Sequence, residues 1–119
     1  MRGTAYIKHL RVSPKKVKPV LDQIRGKRVS EAEAILKLHR KRKIAPMVLQ
    51  VLEAAKASYY DKVRHTGAMG VSEDDLVVRV AKVDRGSIWK RIRPAWRGRA
   101  VLIRRRRSHI RIEVEPKEA

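Results

Sequence analysis

Apolar residues along this chain recur first at helical and then at alternating spacing, and that change divides it into elements. Val17, Val20, Leu21 and Ile24 stand at i, i+3, i+4 and i+7, which defines one buried face of a helix. Ser13 reads as its N-cap, with Pro14 at the first helical position, where a missing N–H costs nothing. Gly26 closes it. Pro19 removes a backbone hydrogen bond inside the helix and predicts a kink, although it lies off the apolar face. Ser30-Glu31-Ala32-Glu33 has the spacing of a capping box, and Ala32, Ile35 and Leu36 follow as the apolar face of a second helix of about two turns. Residues 37–43 form a basic linker. From Ile44 to about Val63 runs the strongest helical pattern: Val48, Leu52, Ala55 and Tyr59 share a face that Leu49 and Val51 widen. Pro46 is tolerable only in its first turn. This helix is expected to be the backbone of the core.

Residues 4–12 mix β-branched, aromatic and basic side chains and read as a short strand ending at Ser13-Pro14. His65 to Asp75 is a loop by composition. Leu76 to Val83 is a rich β run, and Ile110, Ile112 and Val114 alternate with His109, Arg111, Glu113 and Glu115 as in a half-buried strand, so the two are expected to pair antiparallel. Between them the chain travels out and returns, with Pro94-Ala95-Trp96-Arg97-Gly98 supplying the reversal. Each arm of about 11 residues at 3.3 Å per residue gives a hairpin reaching roughly 35 Å. The expected fold class is α+β: about three helices packed on a small antiparallel sheet, with a long protruding basic β-hairpin. The chain, residues 1–119, is read as a single domain, with a globular part of 1–85 plus 108–119 and an extended arm of about 86–107.

Charge changes the picture most. The 119 residues hold 31 Lys+Arg against 12 Asp+Glu, a formal net charge of +19. Such an excess repels itself, and a polyanion is its natural complement; nucleic acid leads the candidates. Between Asp84 and Glu113 there is no acid at all, yet Arg85, Lys90, Arg91, Arg93, Arg97, Arg99, Arg104, Arg105, Arg106, Arg107 and Arg111 stand there, interleaved with Trp89, Trp96 and aliphatic residues. By strand alternation Lys90 shares a face with Ile88 and Ile92, while Arg91 and Arg93 share the other with Trp89. Neither face can be buried against the domain without stranding guanidinium groups. A crevice in folded RNA, where Arg forks onto phosphates and Trp stacks, resolves the conflict.

Other chemistries find little to work with. Without Cys there are no disulfides or thiolate sites, which fits a reducing compartment. His9, His39, His65 and His109 show no ligand spacing, and no metal, cofactor or catalytic residue is expected. A metal-dependent nuclease would have only Asp84 or Glu73-Asp74-Asp75 to use. Gly67-x-x-Gly70 has the spacing of a backbone-clamping loop but leads into that acidic run, so it reads as a plain loop. No apolar run reaches the roughly 18 residues of a membrane span, and no secretory signal is expected at the N-terminus.

Arg11-Val12-Ser13-Pro14-Lys15-Lys16, Ile24-Arg25-Gly26-Lys27, Val51-Leu52-Glu53-Ala54-Ala55, Val83-Asp84-x-Gly86, Lys90-Arg91, Pro94, Arg97-Gly98-Arg99-Ala100 and Ser108-His109-Ile110 together resemble the large-subunit ribosomal protein family called L twenty-two. Their order covers nearly the whole chain. The resemblance implies a non-enzymatic structural constituent of the large ribosomal subunit that binds and organises large-subunit rRNA, its hairpin lining the nascent-peptide exit tunnel. It implies as partners that rRNA, neighbouring large-subunit proteins including ribosomal protein L four near the tunnel constriction, and the nascent peptide; no homo-oligomer is expected. The location implied is the ribosome, in bacterial cytoplasm, mitochondrial matrix or plastid stroma.

Residues expected at the RNA are Arg11, Ser13, Lys15, Lys16, Arg25, Lys27, Arg85, Lys90, Arg91, Arg93, Arg97, Arg99, Arg104, Arg105, Arg106, Arg107 and His109. The expected tunnel-lining tip is Arg91, Ile92, Arg93, Pro94, Ala95, Trp96, Arg97 and Gly98. Departures from the resemblance concentrate here: Pro94-Ala95-Trp96 stands where Pro-Arg-Ala is common, Arg85-Gly86-Ser87 where an acid, Gly and Pro are usual, and Arg107 in place of a usual Thr. Residues 57–62 lack an Asn-rich helix end. From the residues alone, a free-standing DNA- or RNA-binding regulator using a basic β-ribbon stays open as the alternative.

Overall fold

The computed structural model describes residues 2–67 and 70–117. Among them, helices α1 (Pro14–Ile24), α2 (Val29–Lys37) and α3 (Ala45–Thr66) pack on strands β1 (Gly3–Leu10), β2 (Leu76–Pro94) and β3 (Ala100–Pro116). The sheet is antiparallel in the order β1-β3-β2, so the last strand of the chain is the central one. This is the α+β fold class that the sequence implies.

The core forms where the three apolar periodicities meet. Val17, Val20, Leu21 and Ile24 of α1, Val48, Leu52, Ala55 and Tyr59 of α3, and Ile110, Ile112 and Val114 of β3 are all buried in one cluster. At roughly 1.5–3 kcal/mol for each large aliphatic side chain removed from water, this cluster is what holds the helices to the sheet. The expected strand pairing is present as Val83↔Ile110, Ala81↔Ile112 and Val78↔Val114. β1 comes unusually close to α3: a Cβ built on Gly3 would lie 2.2 Å from the Ala55 carbonyl oxygen and 2.6 Å from the Tyr59 Cβ. Only glycine permits that approach.

Helix ends differ from the sequence reading. Ser13 has the extended backbone of an N-cap, but its side chain makes no capping bond; the Lys16 N–H donates to its carbonyl instead, at 3.0 Å. The capping box of Ser30 and Glu33 does not form. α2 starts at Val29, because Val29 is pulled fully into the core and Arg28 bridges to Val77. Ser30 therefore lies inside the first turn, and Glu33 pairs with Lys56 at 2.8 Å. α1 runs through Pro19 with its buried face intact, and Lys37 is helical rather than linker. α3 reaches Thr66, so the loop read from His65 begins later; its positions 68 and 69 lie outside the described residues.

Pairing between β2 and β3 continues past the core, from Ile88↔Arg106 to Pro94↔Ala100. A register shift between Arg85 and Ile88 separates the two parts, with Gly86 packed against the Arg107 backbone. The chain extends 67 Å in its longest direction against 28 and 18 Å, with a radius of gyration of 17.8 Å. A compact chain of this length would have about 13–14 Å.

On the sheet face away from the core, Glu113 and Glu115 are gripped by arginines. Arg2 Nε lies 2.8 Å from Glu115, Arg111 Nη2 3.0 Å from Glu113, and Arg79 Nε also donates to Glu115. Burial acts to raise the Glu115 pKa, but hydrogen bonding and charge from Arg79 and then Arg2 outweigh it, and the carboxyl is held below its ordinary value.

Two outcomes follow. Gly3→Ala should destabilise the chain by about 1–3 kcal/mol in urea unfolding, because β1 must move off α3; an unchanged midpoint would contradict the close approach. Because the folded pKa of Glu115 is depressed, its contribution exists above the unfolded pKa and disappears as pH falls through the folded one. Glu115→Gln should therefore cost up to about 1 kcal/mol at neutral pH. That difference should close as pH drops below the ordinary glutamate range.

Candidate nucleic-acid interface

One face of β3 changes character along its length. Val114, Ile112, Ile110 and Ser108 lie buried on it; by alternation Arg106 and Arg104 continue the same face into solvent. Ser108 marks the change. Its hydroxyl donates to the Val12 carbonyl at 2.9 Å, which pins the segment between β1 and α1 beside the strand. That bond brings Arg11, Ser13 and Lys16 to Arg104, Arg105 and Arg106.

The third wall is the segment between α2 and α3. His39 Nδ1 accepts the Lys41 backbone N–H at 3.1 Å, so its Nε2 carries the proton and donates to Gln23 of α1 at 2.9 Å. Lys41 Nζ reaches the Lys16 carbonyl at 3.3 Å, and the Lys41 carbonyl starts α3 by accepting from Ala45. Lys41, Arg42 and Lys43 are thereby turned toward the β3 arginines across an open cleft of about 710 Å³. A second depression joins Lys15, Lys18, Arg85 and Arg107 to Arg104 and Arg106. A third holds Trp89 among Arg11, Arg91, Arg105, Arg106 and Arg107. No acidic side chain lines any of the three.

The sequence pattern reads residues 37–43 as a linker and does not indicate that Lys41, Arg42 and Lys43 form a wall. Their basic run was visible, but its position depends on the His39 contact with Gln23, which no local pattern announces. Lys18 is not indicated either. Conversely, Arg25 is tied into the fold: Nε and Nη2 donate to the Ala81 carbonyl at 3.1 and 2.6 Å, and Nη1 pairs with Asp22 at 2.7 Å. Lys27 lies where the chain between α1 and α2 bonds the edge of β2, the Val78 N–H donating to the Lys27 carbonyl at 2.9 Å. His109 Nδ1 accepts the His9 backbone N–H at 3.0 Å, across an irregular pairing in which His9 has φ +60°. These three residues sit apart from the clefts.

Lys90, Arg93 and Arg99 are exposed along or beside the far part of the ladder. Its reversal is closed by Ala95 N–H donating to the Arg99 carbonyl at 2.6 Å, with Arg97 at φ +57° and Gly98 at φ +70°. Arg97 lies over the Trp96 ring at 4.2 Å, and Trp96 is 77% exposed. Ile92 is also largely exposed, while Ala95 is half-buried.

The arrangement suits anion binding. Glu113, Glu115, Glu33 and Asp22 are each paired with basic side chains away from the clefts, so the cleft cations have no acidic lining residue against them. Among the described residues no group of three or more His, Asp or Glu is placed to hold a metal ion. No described helix is long and apolar enough to cross a membrane.

Comparison with known proteins agrees with the geometry. Residues 5–115 match the family described as Ribosomal protein L22p/L17e. The large ribosomal subunit protein uL22 of Maridesulfovibrio salexigens is 44% identical over 115 residues, covering 97% of this chain and 98% of its own. Its namesake in Macrococcus caseolyticus is 43% identical, covering 99% of this chain and 90% of its own. That of Deinococcus deserti is 45% identical, covering 94% and 76%.

Proposed function

The chain belongs to the ribosomal protein L22p/L17e family, and on that premise we propose that it is a structural constituent of the large ribosomal subunit that binds and organises large-subunit rRNA. The family is structural and non-enzymatic. The observation that carries the RNA reading is the set of clefts along β3, where arginines of that strand meet basic residues of β2, of α1 and of the loops before α1 and α3, with no acid lining them. Guanidinium groups fork onto phosphate oxygens in pairs, and lysines add point charge, so three walls of a cleft can hold backbone segments that are distant in the RNA sequence. Binding then neutralises a chain of charge +19.

In this reading residues 86–107 are an arm and the remainder is the globular part. The arm runs into folded RNA, and its tip, residues 91–98, lines the nascent-peptide exit tunnel beside ribosomal protein L four. The working location is the ribosome in a bacterial-type cytoplasm. Arg104, Arg105 and Arg106 carry the anchoring, while Arg25, Lys27 and His109 support the fold behind it.

Binding of the full chain to large-subunit rRNA should weaken steeply with salt. Replacing Arg104, Arg105 or Arg106 singly by Ala should lower affinity and flatten the plot of log K against log salt by about 0.7–0.9 per lost phosphate contact, with helix content unchanged. Unaltered slopes would remove the arginines from the interface, and selective binding to a short DNA or RNA duplex would favour a free-standing regulator. Deleting residues 88–103 should leave a folded chain that still joins large subunits; unfolding of the remainder would refute the division into globular part and arm.

A further inference from the structure

Trp89 is half exposed, and its surroundings are unusual for an indole. Its partner across the ladder is Arg105, and the Arg107 guanidinium lies over its ring at 4.4 Å. Arg11 from the segment after β1, Arg91 and Arg106 complete a concave cup of about 370 Å³. Trp89 is the one apolar side chain among the six that line it. Ile88 and Ile92 alternate to the opposite face, and Ile103 and Val101, which share the face of Trp89, pair with Arg91 and Arg93 and do not line the cup. A cup that served phosphate alone would have no use for a flat aromatic surface.

We propose that this cup takes a single unpaired RNA nucleotide, its base stacked on Trp89 and its flanking phosphates held by Arg11, Arg91 and Arg105. The inference rests on the rRNA reading above and narrows it from backbone contact to capture of an extruded base. The pairing of groups selects the ligand. Guanidinium forks match phosphate, and indole and guanidinium planes both stack on nucleobases whatever their sequence. A duplex backbone offers the cup no base face, and an acidic peptide would use the arginines and leave the indole idle. The cup's volume is within the range of small-ligand sites.

The test compares, on the full chain, a labelled six-nucleotide single-stranded RNA with the same backbone made abasic, followed by fluorescence anisotropy. The abasic strand should bind about five- to a hundred-fold more weakly. Trp89→Ala should bring the intact strand down to the abasic affinity without changing the salt slope, while Trp89→Phe should keep most of the difference and guards against a folding defect. Equal affinity for both strands would overturn the proposal. So would a base-dependent difference that survives in Trp89→Ala, or a glutamate hexapeptide that binds as tightly and loses affinity in the same variant. If base dependence is absent while large-subunit rRNA still binds with an arginine-dependent slope, the cup alone is refuted; loss of rRNA binding as well would refute the broader reading.

Discussion

Continuity of β3 is the constraint on which the rest of the structure depends. One face of one strand passes from Val114, Ile112 and Ile110, buried under the helices, to Arg106 and Arg104, which cannot be buried there at all. The apolar half gives the sheet its core. The basic half inherits the direction of that core, because strand alternation leaves it no other face. A charged guanidinium moved into an apolar interior without a partner costs several kcal/mol or more, so the buried face of the strand ends where the arginines begin. Ser108 stands at that boundary, buried but satisfied through Val12.

Placement of the acids follows from the same constraint. Glu113 and Glu115 lie on the opposite face of the same strand and are taken by Arg2, Arg79 and Arg111, which ties the two sheet edges together across the central strand. These two acids are thus used on the sheet face away from the core, and the positive field over the clefts has no acidic lining to oppose it. Repulsion along a two-stranded ladder of this charge opposes its own pairing, and such a ladder is marginal in water even when neutral. The proposed RNA partner would supply what the chain lacks, and the charge is spread over a shape 67 Å in its longest direction.

Much of this was legible in the sequence because it rests on period and sign. The i, i+3, i+4 spacing of α1 and α3, the alternation of Ile110, Ile112 and Val114, and the absence of acid between Asp84 and Glu113 all survive into the structure as buried faces and acid-free clefts. Features set by a few tertiary contacts were not legible. Burial of Val29 overrode a local capping box, and the hydrogen bonds from Arg25 to the Ala81 carbonyl had no local signal. A histidine contact between His39 and Gln23 turned a linker into a wall. The central position of β3 was equally hidden, since nothing local in residues 4–12 tells which strand they pair with.

On the proposed function, the strand ladder beyond Ser108 is balanced only by an external polyanion. Amide hydrogen exchange across residues 88–106, measured on the free chain and on the chain bound to folded large-subunit rRNA, tests it most directly. Residues 88–106 should exchange fast in the free chain, close to a freely opening segment, and be strongly protected once RNA is bound, while the backbone of residues 110–114 in the core stays protected in both. Protection of residues 88–106 that is already high in the free chain and does not change on binding would contradict it.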